Sequence, residues 1–427
     1  MKVLVVDATH GGITLSEAFL ERGEEVTCVD VHRTLTREQL ERHSKKFRVE
    51  RSMPDPSDFD LIVRPVHYPL HEFLGMEKRT ITHHQAVRML VERRINFPVV
   101  EITGSFGKTT AALCAISLLG EDRTILSLTS RGTTFTEAGK TKILETGVSA
   151  APANIIRALN HAPGKPDLAI FELSLGGTGL ADLGIIKNVY DDYPIAKGTS
   201  SALKAKLSMV NDRKGSSTVL VNYDDEKLSS IAGTQRFSPK GSPAEVKAKN
   251  VRLSPSGISM DAEFSGFRSM RGPVEFEVKI ETERGPIGRQ HVENLLVGAS
   301  IAAYFGLDAT RAVIPKEVFG RKMVLERESP PLVVNSSASI GAKAARASIA
   351  DYLEIFPASR LEIGGRLKTT CGSADPRGVA EEINSSPFSK VSFFGEFGDA
   401  LAPLIQRGVV YRNVPGDLEP TLRLERM

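Results

Sequence analysis

Tryptophan is absent from this 427-residue chain, and cysteine occurs only three times. Cys28, Cys114 and Cys371 stand far apart with no C-x-x-C pair, which excludes a disulfide framework and a zinc knuckle and suits a reduced, cytoplasmic protein. Long hydrophobic runs are missing too. Ala111 to Leu119, a largely apolar stretch, is about half of the roughly 20 residues a membrane span needs. Met1-Lys2 leads into a strand pattern rather than a signal segment, so no membrane partner is expected. Charge of one sign is not in excess: Lys+Arg minus Asp+Glu is 55 − 52 = +3, which argues against a nucleic-acid partner and for a small-molecule one. No G-x-S-x-G or Cys-His signature announces a protein nucleophile, and no G-x-G-x-x-G announces a dinucleotide.

What is present is ordinary globular composition and enough chain for about three domains at roughly 150 residues each. Residues 1–95 alternate short β-branched runs with amphipathic stretches: strand Lys2 to Asp7, helix Ile13 to Arg22, strand Glu25 to Val31, strands near Phe47 to Glu50 and Asp60 to Pro65, helix Thr82 to Ile95. This reads as a small parallel α/β domain. A second α/β block runs from Phe97, and from Arg236 to Gly285 the pattern changes to antiparallel strands inserted before a helix His291 to Phe305. After a connector, Asp308 to Pro331, a third block alternates strand Leu332 to Ser336, helix Gly341 to Phe356, strand Ser359 to Gly365, helix Asp375 to Asn384, strand Lys390 to Phe397 and helix Asp399 to Arg407.

The strongest motif is Thr103-Gly104-Ser105-Phe106-Gly107-Lys108-Thr109-Thr110, set between an apolar strand and a helix. Glycines let backbone N–H groups wrap a phosphate, and the following helix presents its positive end. Lys108 is positioned to reach the β- and γ-phosphates of ATP, and Thr109 to place a hydroxyl on Mg²⁺. Ile102 stands where the full G-x-x-x-x-G-K-[ST] pattern has its first glycine, so the loop is of a shortened kind.

This shortened loop resembles that of the Mur ligase family, ATP-dependent enzymes that join a carboxylate to a nucleophile. The resemblance continues through Ser130-Arg-Gly132-Thr133-Thr134, Ser149 to Asn154, and the strand Ala169-Ile-Phe-Glu172, whose terminal carboxylate stands where the family binds magnesium. It implies a three-domain α/β architecture, with a P-loop central domain (96–312) and small Rossmann-like domains at both ends: 1–95 for substrate, 313–427 closing over the site. By family register, Lys206 in Ser200 to Ser208 matches the lysine that becomes carbamylated and supports a second Mg²⁺. Asn294, in Gly288-Arg-Gln290-His291-Val-Glu-Asn294, matches an adenine contact, with Gln290 and His291 in place of the family's His and Asn. Arg321 and Asn335 match further nucleotide contacts, although the family has an aspartate where Asn335 stands. A metal-site histidine of the family falls on Val189, which departs from the pattern.

The first turn, with His10, Gly11 and Gly12, together with Gly176-Gly177-Thr-Gly179 and Tyr193-Pro-Ile-Ala-Lys197-Gly198, looks like the branch of the family that makes the methanogen nickel tetrapyrrole coenzyme F(430). That branch implies a polycarboxylate nickel tetrapyrrole as substrate, read by His10, Gly11 and Gly12, and closure of its last carbocyclic ring through an ATP-activated propionate. The basic stretches Arg33 to Arg51 and Arg79 to Arg94 suit carboxylates. Two alternatives remain at this stage: an amide-forming ligase and a non-catalytic nucleotide-dependent binding protein. Seven of the nine histidines lie before residue 85, a skew read mostly as ordinary surface residues and in smaller part as a hint that the N-terminal domain meets the nickel macrocycle or its carboxylates.

Overall fold

The computed structural model describes all residues except 190–191, 308, 338–339, 358–359, 370–371, 374, 407–408 and 412–418. Cys371, Asp308 at the head of the connector, and the Tyr190-Asp191 pair lie outside the described residues. Two compact units emerge: residues 1–247, 264–275 and 296–308 form one, and 248–263, 276–295 and 309–427 the other.

The first unit opens with β1 (Lys2–Val6), α1 (Ile13–Glu21), β2 (Glu25–Val29), α2 (Arg37–Ser44), β3 (Arg48–Glu50), β4 (Leu61–Arg64), β5 (Thr80–Thr82) and α3 (His83–Val91). Their parallel sheet runs β3-β2-β1-β4-β5. Strand order reverses beside β1, so β1 and β4 flank the crevice where open α/β sheets bind ligands. Capping boxes start α2 (Thr36 with Gln39) and α3 (Thr82 with Gln85), each satisfying two otherwise orphaned backbone donors.

The same unit continues with β6 (Val99–Thr103), α4 (Lys108–Leu119), β7 (Ile125–Thr129), β8 (Gly132–Glu137), β9 (Lys140–Glu145), α5 (Asn154–His161), β10 (Leu168–Glu172), β11 (Leu183–Ile186), the short pair β12 (Pro194–Ile195) and β13 (Ser200–Ser201), α6 (Ala202–Lys206), α7 (Ser208–Asn211), β14 (Thr218–Asn222) and β15 (Gln235–Ser238). Their sheet runs β15-β14-β11-β6-β10-β7-β8-β9, parallel except for the β7-β8-β9 meander. β6, β7, β10 and β11 are buried at every position, as helix-covered parallel strands must be.

Next come β16 (Val246–Ser254), β17 (Gly257–Ser269), β18 (Gly272–Thr282), α8 (Gln290–Tyr304) and β19 (Arg311–Ile314). The second unit then carries β20 (Val324–Glu328), β21 (Pro331–Ser337), α9 (Ala342–Ile355), β22 (Arg360–Gly365), the two-residue strands β23 (Lys368–Thr369) and β24 (Gly372–Ser373), α10 (Pro376–Ser385), β25 (Lys390–Phe394), α11 (Gly395–Leu401), β26 (Val409–Tyr411) and β27 (Thr421–Arg426). Its sheet order is β20-β21-β27-β22-β25-β26. The final strand thus fills the sheet centre, pairing in parallel with both β21 and β22, a strand the sequence patterning did not reveal. A second correction concerns the strand expected to reach Phe397. It ends at Phe394 because Gly395 (φ 66°) turns the chain, and α11 starts there rather than at Asp399.

The surface reading of the histidine skew holds for His10, His32 and His71, which are exposed, and in part for His67, which is half-buried, but not for three others. His43, His83 and His84 are buried. His83 Nε2 lies 2.9 Å from the Val6 carbonyl oxygen, whereas neither ring nitrogen of His84 meets a partner among the described residues. Burial pushes His83 down to about 4, partly offset by that carbonyl, and burial with the neighbouring His83 pushes His84 down to about 3. Between these values and the ordinary value near 6.5, the unfolded chain binds protons that the folded one does not. Their stability contribution is therefore complete above about pH 6.5 and is lost as the pH falls toward the folded values. Replacing His84→Leu is expected to reduce the loss of unfolding free energy between pH 7 and 5 by about 2 kcal/mol. Urea titrations at both pH values measure it, and an unchanged pH slope counts against the burial argument.

Candidate functional site

The phosphate-loop residues lie where β6 hands the chain to α4. Gly107 is the N-cap of α4 at φ 77°, a conformation that favours glycine, and this sharp turn sends the chain straight into the helix. Asn188, just after β11, holds the loop from the neighbouring strand: its Oδ1 accepts from Ser105 N at 2.8 Å and Phe106 N at 3.0 Å. Phe106 is exposed at the loop tip, and Thr110 is buried in the first turn of α4. Thr103 is buried at the strand end, with its Oγ1 accepting from Gly176 N at 3.3 Å.

Behind the loop Thr109 and Glu172, two of the three residues expected to hold a metal, are brought together. Thr109 Oγ1 donates to Glu172 Oε2 at 2.7 Å and lies 2.9 Å from Ser130 Oγ, while Ser130 N donates to the same Oε2 at 3.0 Å. Lys108 Nζ donates to Gly104 O at 2.9 Å and stands 3.9 Å from Glu172 Oε1. Glu172 ends β10, which lies between β6 and β7 in the sheet, so three adjacent parallel strands deliver Lys108, Thr109, Ser130 and Glu172 to one point. A buried carboxylate and hydroxyl under a glycine loop suit a hydrated divalent cation that neutralises phosphate oxygens.

Lys206 is fully buried at the end of α6, its Nζ 5.7 Å from the Tyr193 ring centroid. Burial, and secondarily the charge of Lys108, push its amine down to about 8. Val189 is buried in an apolar cluster with Ile186, Met209, Val219 and Val221, so no imidazole is supplied there. Glu101, in the middle of β6, escaped the sequence reading. Burial raises its carboxyl to about 7, and it accepts from the backbone N and hydroxyl of Thr178, tying the Gly176–Gly179 segment to the strand below the loop.

The remaining predicted nucleotide contacts belong to the second unit. Asn294 on α8 is buried, with Nδ2 3.3 Å from His291 Nδ1, and its Oδ1 has no partner among the described residues. His291 sets Nε2 2.5 Å from the Lys322 carbonyl oxygen. Arg321 pairs with Glu326 at 2.6 Å and Glu425 at 3.3 Å, and Asn335 Nδ2 donates to Ser348 Oγ at 2.8 Å.

His10, Gly11 and Gly12 form the turn after β1. At Gly11 (φ 101°) a Cβ would sit 2.6 Å from Cβ of Ala153, so this turn packs directly against the residue opening α5. His10 Nδ1 lies 2.6 Å from Asp7 Oδ2. Burial alone would raise the Asp7 carboxyl, yet hydrogen bonds from His10 and His67 hold it well below the usual carboxylate range; the bond to Asp7 in turn raises His10.

No protein-family model matches the chain. A coenzyme F(430) synthetase of Methanosarcina acetivorans is 36% identical over 258 residues, 57% of this chain, and in that match the chain spans about half (53%) of the relative's length. A coenzyme F(430) synthetase of Methanocaldococcus jannaschii is 24% identical over 424 residues, covering 96% of this chain and 94% of that protein. Among solved structures, MurF ligase of Thermotoga maritima in complex with ADP matches with a TM-score of 0.58 at 12% identity, covering 94% of this chain and 91% of its own. UDP-N-acetylmuramate-alanine ligase MurC of Thermotoga maritima matches at 0.53 and 14% identity over 100% of this chain and 95% of its own. A pseudomurein peptide ligase type C of Methanothermus fervidus matches at 0.52 and 14%, over 99% of this chain and 96% of its own. The chain is therefore a protein of Mur-ligase fold, similar in sequence to coenzyme F(430) synthetases.

Proposed function

We propose that the chain is a cytoplasmic, ATP- and Mg²⁺-dependent ligase that activates a substrate carboxylate as an acyl phosphate. Its substrate in this reading is the open-ring nickel tetrapyrrole precursor of coenzyme F(430), whose last carbocyclic ring it closes. The observation that carries the reading is the convergence of Lys108, Thr109 and Glu172 behind the glycine loop. Relatives named coenzyme F(430) synthetase support the substrate assignment.

In the first step a carboxylate oxygen attacks the γ-phosphorus of ATP and ADP departs. In the second a ring carbon attacks the acyl carbon, inorganic phosphate leaves with the carboxylate oxygen, and the carbon's proton is lost. Such chemistry needs positioning and charge stabilisation more than a protein nucleophile. Lys108 places a cation on the migrating phosphoryl group, and the loop N–H groups and the start of α4 hold its oxygens. Thr109 and Glu172 would hold Mg²⁺, which would supply neutralisation of the polyphosphate charge. Asn294 Oδ1, without a partner among the described residues, is the acceptor offered to the adenine amino group, and Arg321 and Asn335 are the further nucleotide contacts in this reading. The division of labour among 1–95, 96–312 and 313–427 as substrate, ATP and closing domains is part of the same proposal.

Lys206 enters as a carbamate. A lysine whose amine is pushed down to about 8 has roughly a tenth of its population neutral at pH 7, far more than an ordinary lysine, and so is able to add CO₂, which converts a second cation beside Lys108 into an oxygen ligand. Removing dissolved CO₂ is expected to lower turnover several-fold in the parent protein and to leave the residual turnover of Lys206→Gln unchanged. Equal sensitivity of both would contradict the carbamate.

The direct test of the reading is phosphate release from Mg-ATP with a panel of carboxylates. Release that rises only with the tetrapyrrole polycarboxylate is expected; release with none contradicts catalysis.

A further inference from the structure

We propose that Asp7, His10, His32 and His67 form a binding site for one free divalent transition-metal ion, of the Zn²⁺, Co²⁺ or Ni²⁺ class, in the crevice of the N-terminal sheet. Three imidazoles aim at a single carboxylate oxygen: His10 Nδ1 at 2.6 Å, His67 Nε2 at 3.0 Å and His32 Nε2 at 3.8 Å from Asp7 Oδ2. All four ligand atoms lie within 4.8 Å of one another. Ligands about 2.0–2.1 Å from a tetrahedral ion stand about 3.3 Å apart, so the observed spacings bracket those of a loaded site.

Placement in the fold points the same way. Asp7 and His10 follow β1, His32 follows β2 and His67 follows β4, so three neighbouring parallel strands deliver the ligands at their C-terminal ends, beside the reversal of strand order. The loops that carry them are held independently of the imidazoles. Asp7 Oδ1 accepts from Thr9 N at 3.0 Å, Asp30 accepts from Thr34 N at 3.1 Å and Leu35 N at 3.0 Å, and the hydroxyls of Thr9 and Thr34 join the two loops. Asp7 itself is fully buried in the left-handed conformation (φ 74°), uncommon for a residue with a side chain, and a turn alone needs only its Oδ1.

The donor set selects the ion. Three nitrogens and one carboxylate oxygen favour borderline transition metals over Mg²⁺, which prefers an all-oxygen shell. The imidazoles of His10, His32 and His67 are 54%, 47% and 30% exposed, which leaves a face open for water or a substrate ligand, as in catalytic rather than structural sites. A metal already held in the plane of a macrocycle has only axial positions left, so four converging protein ligands suit a free ion better.

The test uses the full chain, stripped with a chelator and then titrated with Co²⁺ and Zn²⁺ by equilibrium dialysis and visible absorption, with Mg²⁺ in excess to occupy oxygen-donor sites. One ion per chain is expected, with the d–d bands of low-coordinate Co²⁺. In His10→Ala/His67→Ala the affinity should fall by more than about 100-fold, since loss of even an outer-shell partner costs 10–100-fold. His71→Ala, an exposed histidine outside the cluster, should retain uptake. Should the double variant fail to fold by circular dichroism, His32→Ala serves instead, with at least about 10-fold weaker uptake expected. No uptake, or equal uptake by parent and variant, overturns the site. Failure to take up the free ion, with histidine-dependent binding of a nickel tetrapyrrole, also overturns it and transfers the cluster to the substrate's own metal.

Discussion

Lys108→Ala is expected to lower substrate-dependent phosphate release by about 1,000-fold or more while leaving the fold intact. The ammonium lies within the glycine loop, 2.9 Å from the Gly104 carbonyl oxygen and 3.9 Å from Glu172, where the shielding of bulk water is weak. Removing one preorganised charge from a site of this kind raises the barrier by about 4 kcal/mol, which is three decades in rate. The structural cost is small by comparison. Glu172 keeps the Thr109 hydroxyl and the Ser130 N–H, and Asn188 still holds the loop through Ser105 and Phe106. Rates of phosphate release with thermal melting in parallel check both parts. Undiminished release by a well-folded variant would remove the loop from the chemistry.

Glu172→Gln is expected to have the second largest effect, a loss of about 100-fold in rate together with a rise of about 10-fold or more in the Mg²⁺ concentration needed for half-maximal activity. The amide is nearly isosteric and keeps an acceptor for Thr109 and Ser130, so the loop keeps its shape while the site loses its anion. This separates two roles that the geometry superimposes. A fall in rate with an unchanged Mg²⁺ curve would make Glu172 a positioning residue for Thr109 and Ser130, and no change in either would exclude it from the site.

The legible parts of this molecule are those in which cause and consequence sit close together in sequence. The β6–loop–α4 unit announces itself because strand, glycines, lysine and helix are consecutive, and Glu172 because it closes an apolar run. Non-local features were hidden. β27 reads as a short tail until its two partners, β21 and β22, offer it the sheet centre, and nothing in Thr421–Arg426 records that pairing. Asn188 is an ordinary asparagine until β11 is placed beside β6. The histidines show both sides of the limit. Their enrichment before residue 85 was visible, but His43, His83 and His84 proved to be buried. His10, His32 and His67 converge only because β1, β2 and β4 are neighbours in the sheet although far apart along the chain. Strand ends were the available signal: Asp7, Asn188 and Glu172 each stand at or just beyond the C-terminal end of a parallel strand, as a ligand site in an open sheet requires.

In the proposed reaction an activated carboxylate is attacked by a carbon of the same molecule. Mass spectrometry of the tetrapyrrole after incubation with purified protein and Mg-ATP, with no amine present, tests it most directly. A product lighter than the precursor by one water is expected, formed in step with ADP and phosphate and accompanied by a shift in visible absorption. An unchanged precursor in that mixture, with a product appearing only when an amine or amino acid is added and heavier by that amine less one water, would contradict it.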